Sequence, residues 1–230
     1  MRLNQFLAAA GLGSRRSCER LIREGLVSVN GKRISSLATQ VKSEDKVFYQ
    51  GHEIKTKLTK RYYIFHKPVG VVCSKRGEGS YRSLYELLPP ELHTLFYVGR
   101  LDADSEGLLL LTDDGYWAQH LLHPRYKVDK VYRVTLDRRL EDKDSEQLLK
   151  GTILDRKRVR FKSIYRLKGF TIEVILNQGL KRQIRRQLFQ LGYKVKRLIR
   201  VKFGSISLNA LPIRHYRPLT FKEIQALKAP

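Results

Sequence analysis

The amino-acid sequence predicts an α+β protein: a small α/β domain, then a larger domain on a mixed, mainly antiparallel sheet. Strand-forming segments outnumber helical ones, and consecutive segments lie a turn's length apart, as hairpins require. A polar, charged stretch from Gly51 to Lys60 reads as a linker, so the predicted domains are residues 1–58 and 59–230.

In the first domain, Leu3, Phe6, Leu7 and Ala10 recur at helical spacing until Gly11-Leu12-Gly13 breaks the pattern. Ser14 caps a second helix with Cys18, Leu21 and Ile22 inside and Arg15, Arg16, Arg20 and Arg23 outside, and Gly25 ends it. Val27 to Ile34 alternates around Asn30-Gly31, a strong hairpin signal, and Asp45 to Tyr49 supplies another strand.

The second domain opens on the β-rich run Arg61–Cys73, interrupted by Lys67-Pro68-Val69-Gly70, which predicts strand, turn, strand. Lys75–Ser80 reads as a glycine-bearing loop, and Ser83–Leu88 as a short helix stopped by Pro89-Pro90. Leu95–Val98 and Leu108–Leu111 are buried strands on either side of an acidic loop. Asp113 or Asp114 then caps a helix holding Trp117, Ala118, Leu121 and Leu122. Strands follow at Lys130–Leu136, Val159–Tyr165, Thr171–Leu176 and Val195–Ser207. Helices are predicted at Glu141–Leu149, Arg182–Leu191 and Thr220–Leu227.

A net charge of +24 on 230 residues points to a polyanionic partner, nucleic acid or an anionic membrane. No apolar run approaches the ~20 residues that span a bilayer, and the start Met1-Arg2-Leu3-Asn4-Gln5 lacks a secretory apolar segment, which favours nucleic acid and a cytoplasmic setting. Cys18 and Cys73 lie too far apart for a metal-ligand spacing and read as buried small hydrophobes. The charge is uneven. Residues 1–58 carry 11 basic and 5 acidic side chains, residues 59–150 carry 15 and 14, and residues 151–230 carry 20 and 3. The acidic loop therefore sits in a nearly neutral middle flanked by cationic sequence.

That loop, Gly99-Arg100-Leu101-Asp102-Ala103-Asp104-Ser105-Glu106-Gly107, admits three readings. As a calcium loop, Asp102, Asp104, Glu106, Gly107 and Asp113 fall at positions one, three, five, six and twelve. The last is Asp instead of a bidentate Glu, however, and the flanks read as strands. As a structural turn, the acids pair with surrounding arginines, which suits Asp104, Glu106 and Asp113. As a catalytic loop, one acid carries chemistry.

Gly99-Arg100-Leu101-Asp102, then Ser105-x-Gly107-Leu108-Leu109, resembles the signature loop of the bacterial ribosomal-RNA pseudouridine synthases of the RsuA/RluB-like group. Lys67-Pro68-Val69-Gly70, Lys130-Val131-Tyr132-Arg133-Val134 and Gly179-Leu180-Lys181-Arg182-Gln183-Ile184-Arg185-Arg186 fall in the family's order. The helix, basic helix, hairpin and strand of residues 2–48 resemble the RNA-binding domain named after ribosomal protein S-four.

The resemblance implies cofactor-free, metal-free isomerisation of uridine to pseudouridine in ribosomal RNA, free or in a ribosome assembly intermediate. The base would be flipped out of its stack, and the chain is expected to act as a monomer with no membrane partner. It makes Asp102 the essential carboxylate, either attacking the sugar or promoting proton removal from it. Tyr132 becomes the active-site tyrosine and Arg185 the basic partner of the aspartate. Helical spacing sets Arg185 beside the inward stripe of Ile184, Leu188 and Leu191 and turns Arg182 and Arg186 away, toward phosphates. Arg15, Arg16, Arg20, Lys32, Arg33, Lys67 and Arg100 complete the candidate RNA contacts.

Gln187 stands where many relatives have Met, and Arg182 where some have His. Arg182 and Arg197–Val201 lean toward relatives acting on large-subunit RNA. The rival is a non-catalytic RNA-binding or ribosome-assembly protein on the same scaffold. Convergence of Asp102, Tyr132 and Arg185 in one cleft is the observable that separates the two.

Overall fold

A computed structural model describes residues 1–56 and 59–227. The chain falls into two units, Met1–Lys60 and Arg61–Pro230.

The first unit holds α1 (Leu3–Ala9), α2 (Arg15–Arg23), β1 (Val27–Val29), β2 (Lys32–Ile34), β3 (Val47–Tyr49) and β4 (His52–Ile54). The strands form an antiparallel sheet in the order β2-β1-β3-β4. Ser14 caps α2 by accepting from Ser17 N at 3.1 Å. Leu3, Leu7, Cys18, Ile22, Val27 and Val47 are fully buried between helices and sheet. Asn30 and Gly31 turn the first hairpin with left-handed φ values of 51° and 80°.

Gln50 and Gly51 turn a second hairpin the same way, at 49° and 83°, so His52–Ile54 is a strand where the sequence reads as linker. A Gln-Gly turn carries a weaker signal than Asn-Gly. The expected boundary at 58/59 touches residues 57–58, outside the described residues.

The second unit begins with β5 (Tyr62–Lys67), β6 (Val71–Val72) and β7 (Arg82–Ser83). Short 3-10 turns at Leu84–Leu87 and Pro90–Leu92 lead to β8 (Phe96–Val98). Then come β9 (Glu106–Thr112), α3 (Gly115–Leu122), β10 (Lys130–Leu136) and α4 (Asp142–Lys150). Two hairpins follow, β11 (Thr152–Leu154) with β12 (Lys157–Val159) and β13 (Ser163–Arg166) with β14 (Thr171–Leu176). The chain closes with α5 (Gln183–Gln190), β15 (Val195–Phe203), β16 (Ile206–Ser207), β17 (Tyr216–Pro218) and α6 (Phe221–Ala226).

The expected strand Val159–Tyr165 is thus split between two hairpins. The earlier hairpin turns at Asp155-Arg156 (φ 50° and 60°), a left-handed turn that no glycine announces.

Among the described residues, the main sheet runs β13-β14-β10-β15-β9-β5-β17, with β8 also on β9 and β16 on β15. Its pairs are antiparallel except β15 with β9. Strand β9 explains the unbroken leucine run, because it is buried on both faces. Leu108 and Leu110 pack with Trp117, Leu121 and Phe203, whereas Leu109 and Leu111 pack with Phe65, Leu84 and Leu95 on the other side. A further core, of Val134, Leu148, Val174 and Leu188, unites α4, α5, β10 and β14.

Candidate active site

The sheet register assembles one row of residues across four strands. Tyr132 on β10 stands opposite Arg200 on β15, Arg200 opposite Gly107 on β9, and Gly107 opposite Lys67 on β5. Residues directly opposite project from the same face of a sheet. Gly107 (φ 114°) admits no side chain, since a Cβ there would overlap the Arg200 backbone.

The loop between β8 and β9 lies at this row, and every carbonyl from residue 100 to 105 has a donor. Arg200 Nη1 donates to Arg100 O (3.4 Å) and Cys73 Sγ to Leu101 O (3.4 Å). Ser105 N donates to Asp102 O (3.0 Å) and Gly70 N to Ala103 O (2.7 Å). Arg185 Nη2 donates to Asp104 O (2.7 Å) and Lys67 Nζ to Ser105 O (2.7 Å). Donors from six separate positions fix the loop's path.

Two of these donors are buried cations. Lys67 is fully buried, so the expectation that it contacts RNA is corrected: its ammonium holds the Ser105 and Pro68 carbonyls (2.7 and 2.8 Å). Burial lowers its pKa to about 8, while the charges of Asp102 and Asp104 act in the opposite sense. Arg200 is 1% exposed, donates through Nε to Leu108 O at 2.7 Å, and lies over the Phe203 ring at 5.3 Å. No carboxylate among the described residues pairs with it. The sequence reading passes over Arg200 as part of a basic strand. The available signal was phase, because alternation along β15 sets residue 200 with buried Leu198 and not with its half-buried neighbours.

Three of the loop-region acids are engaged. Asp104 Oδ2 lies 2.7 Å from Arg182 Nη2 and 3.2 Å from Arg185 Nε, the latter without hydrogen-bond alignment. Burial acts to raise the Asp104 carboxyl, but the two arginines hold it below its ordinary value. Glu106 pairs with Arg197 at 2.5 Å and Asp113 with Arg61 at 3.0 Å. Of the four acids Asp102, Asp104, Glu106 and Asp113, only Asp102 has no ion pair among the described residues.

Asp102 and Tyr132 line one cavity of about 180 Å³, together with Arg100, Arg182, Lys181 and Leu198. Arg185 does not line it. The side chain reaches the loop as its helical phase predicts, but its partner is Asp104 in place of Asp102, and it also donates to Val195 O at 2.9 Å. Its two hydrogen bonds, to Asp104 O and Val195 O, fix the guanidinium at Asp104. Arg182 takes a left-handed φ of 53° at the start of α5 and leans onto Asp104 at the cavity wall.

Other candidate contacts differ in availability. Arg186 is held bidentately by Asp155 (2.7 and 2.8 Å). Arg33 caps the end of α2 by donating through Nε to Gly25 O (2.6 Å) and through Nη2 to Glu24 O (3.1 Å), and the residue is exposed. Arg15, Arg16 and Lys32 are exposed, as is Arg20, which lies 3.8 Å from Glu24.

The RNA pseudouridylate synthase family matches residues 61–190, and the S4 domain family residues 1–47. The chain belongs to the RNA pseudouridine synthases. The synthase is 36% identical over 99% of its length to an RNA pseudouridine synthase of Aquifex aeolicus, covering 93% of that chain. It is 34% identical over 99% of its length to the ribosomal small subunit pseudouridine synthase A of Escherichia coli K12, covering all of it. It is also 35% identical over 98% of its length to the ribosomal large subunit pseudouridine synthase B of Pseudomonas aeruginosa, covering 61% of that chain. A crystal structure of a pseudouridylate synthase matches the synthase with TM-score 0.72 at 31% identity, covering 99% of both chains. The rival reading as a non-catalytic scaffold is set aside by this membership. Among the described residues, no helix is long and apolar enough to cross a membrane.

Proposed function

We propose that this synthase isomerises a specific uridine of ribosomal RNA, with Asp102 as the essential carboxylate and without a cofactor. The observation that carries the reading is the shared cavity of Asp102 and Tyr132: the one unpaired acid of the loop and an aromatic ring face the same base-sized space.

The chemistry needs little else. The C1′–N1 bond breaks, the uracil turns, and a C1′–C5 bond forms. N1 gains a proton and C5 loses one, so atoms and charge balance without an oxidant or reductant. Asp102 either attacks the sugar or promotes proton removal from it. Tyr132 stacks on the extruded uracil and offers a hydroxyl for proton transfer. Taking the base from its stack costs a few kcal/mol, which an unpaired target and cationic contacts from Arg100 and Arg182 offset. Lys67, Arg185 and Arg200 hold the loop and do not touch substrate.

We assign RNA gripping to residues 1–58, through Arg15, Arg16, Arg20 and Lys32, and catalysis to residues 59–230, in a monomer. Relatives acting on either ribosomal subunit match at similar identity. Arg182 and Arg197–Val201 favour the large subunit.

Pseudouridine mapping of both ribosomal RNAs tests the reading in cells lacking the gene, complemented with wild type or Asp102→Asn. One uridine should lose its mark and regain it with wild type alone. Restoration by Asp102→Asn would remove Asp102 from the chemistry, and an unchanged map would exclude ribosomal RNA as substrate.

A further inference from the structure

Beside the active-site loop lies a ring cluster that the reaction described above does not use. Tyr116 and His120 are one helical turn apart on α3, and the chain after α3 folds Tyr126 back onto His120. The Tyr126 ring lies 3.7 Å from the His120 ring, tilted by 34°, and 6.0 Å from His123, edge-on. The Arg125 guanidinium sits 5.0 Å over Tyr126, and Arg125 N donates to His123 Nδ1 at 3.2 Å. These are not core residues: Tyr116 is 61% exposed and Tyr126 38%, and His123 and Arg125 are exposed.

Position and charge both bear on what this cluster meets. Leu122, at the end of α3, approaches the start of the active-site loop, where a Cβ on Gly99 would stand 3.4 Å from its Cδ2. The next residue, Arg100, lines the cavity with Asp102. Residues 115–128 contain no Asp or Glu but two His, one Arg and one Lys. The neighbouring acids are engaged: Asp113 by Arg61, Asp114 by Tyr62 and the α3 N-terminus, and Asp129 by Lys162. Exposed rings interleaved with cations and stripped of free carboxylates match the stacking platforms that hold single-stranded nucleic acid.

We propose that Tyr126, with His120, His123 and Arg125, is a stacking site for an unpaired RNA nucleotide flanking the target uridine. This rests on the reading of the cavity as the uridine site. When a uridine leaves its stack, the neighbouring base loses a stacking partner. A ring cluster next to the cavity replaces that partner and marks where the flanking strand runs. Arg125 supplies a phosphate contact.

The test uses the full chain and a fluorescein-labelled, mixed-sequence single-stranded RNA of twelve nucleotides, with affinity read by anisotropy across a salt series. Binding needs no turnover, so failure of the platform is read here, separately from failure of the catalytic reading, which the pseudouridine mapping decides. Tyr126→Ala and His120→Ala should each weaken binding about tenfold with little change in salt slope. Tyr126→Phe should stay within about twofold of wild type and Tyr126→Leu should not, because Leu keeps apolar bulk without a ring. Arg125→Ala should reduce the log–log salt slope by about 0.7. If Tyr126→Ala proves unstable, the Phe and Leu variants decide alone. Wild-type affinity in Tyr126→Ala, or equal affinities in the Phe and Leu variants, overturns the proposal and leaves the cluster to a protein partner.

Discussion

In α2, Arg15, Arg16 and Arg20 project into water from a helix whose opposite face, Cys18 and Ile22, is core, and the pair that Arg20 makes with Glu24 is long and exposed. Around the loop between β8 and β9, Arg185, Arg200 and Lys67 point inward and donate to main-chain carbonyls. The residue types match, and their counts in the sequence contribute alike to the net charge. A solvated guanidinium exchanges water for phosphate at little structural cost. A buried one cannot leave without orphaning the carbonyls it holds. Net charge therefore overstates the RNA-binding surface, and burial sorts scaffold from handle.

The sharpest break between the two regions is in stability. Lys67→Met and Arg200→Met each leave buried carbonyls unpaired and should destabilise the fold by roughly 2–5 kcal/mol in urea titration. Arg15→Ala or Arg16→Ala should stay within about 0.5 kcal/mol. Equal losses in both sets would dissolve the distinction. Binding should reverse the order. Arg16→Ala should lower the log–log salt slope of RNA affinity by about 0.7–0.9 per phosphate contact removed, whereas Lys67→Met, where folded, leaves the slope intact.

The pH dependence of stability offers a finer cut. Lys67 releases its proton near pH 8 in the folded chain and near 10.5 in the ordinary state. Between those values the unfolded chain binds more protons, so this group's contribution is smallest below pH 8 and rises toward pH 10.5. Lys67→Met should remove a rise on the order of 1 kcal/mol between pH 8 and 9.5. Lys130, also lowered to about 8 by burial, keeps the remaining slope. Arg182 falls between the two classes, since its pair with Asp104 is about two-fifths exposed. Arg182→Ala should cost less than about 1 kcal/mol, the smallest loop effect.

Much of this was legible beforehand because its signals are local. The capping by Ser14, the Asn30-Gly31 hairpin and the leucines of β9 rest on spacing, propensity and turn chemistry within a few residues. The turns at Gln50-Gly51 and Asp155-Arg156 escaped, since left-handed φ at residues other than Asn or Gly leaves little trace in sequence. For the same reason β4 read as linker, and one strand was drawn where two hairpins stand.

By itself, the sequence pointed to the α+β class and to arginine partners for Asp104, Glu106 and Asp113, whereas the part proposed for Asp102 came from the family resemblance. Only the tertiary structure decided which cations face inward and which acid Arg185 meets. That choice follows from register. The parallel junction of β15 with β9 and the antiparallel pairing of β10 with β15 bring residues 132, 200, 107 and 67 into one row. A one-residue slip in any of these pairings would turn a side chain to the opposite face. No local signal encodes a row drawn from four strands up to 133 residues apart in sequence (from Lys67 to Arg200). It exists only once the sheet has closed.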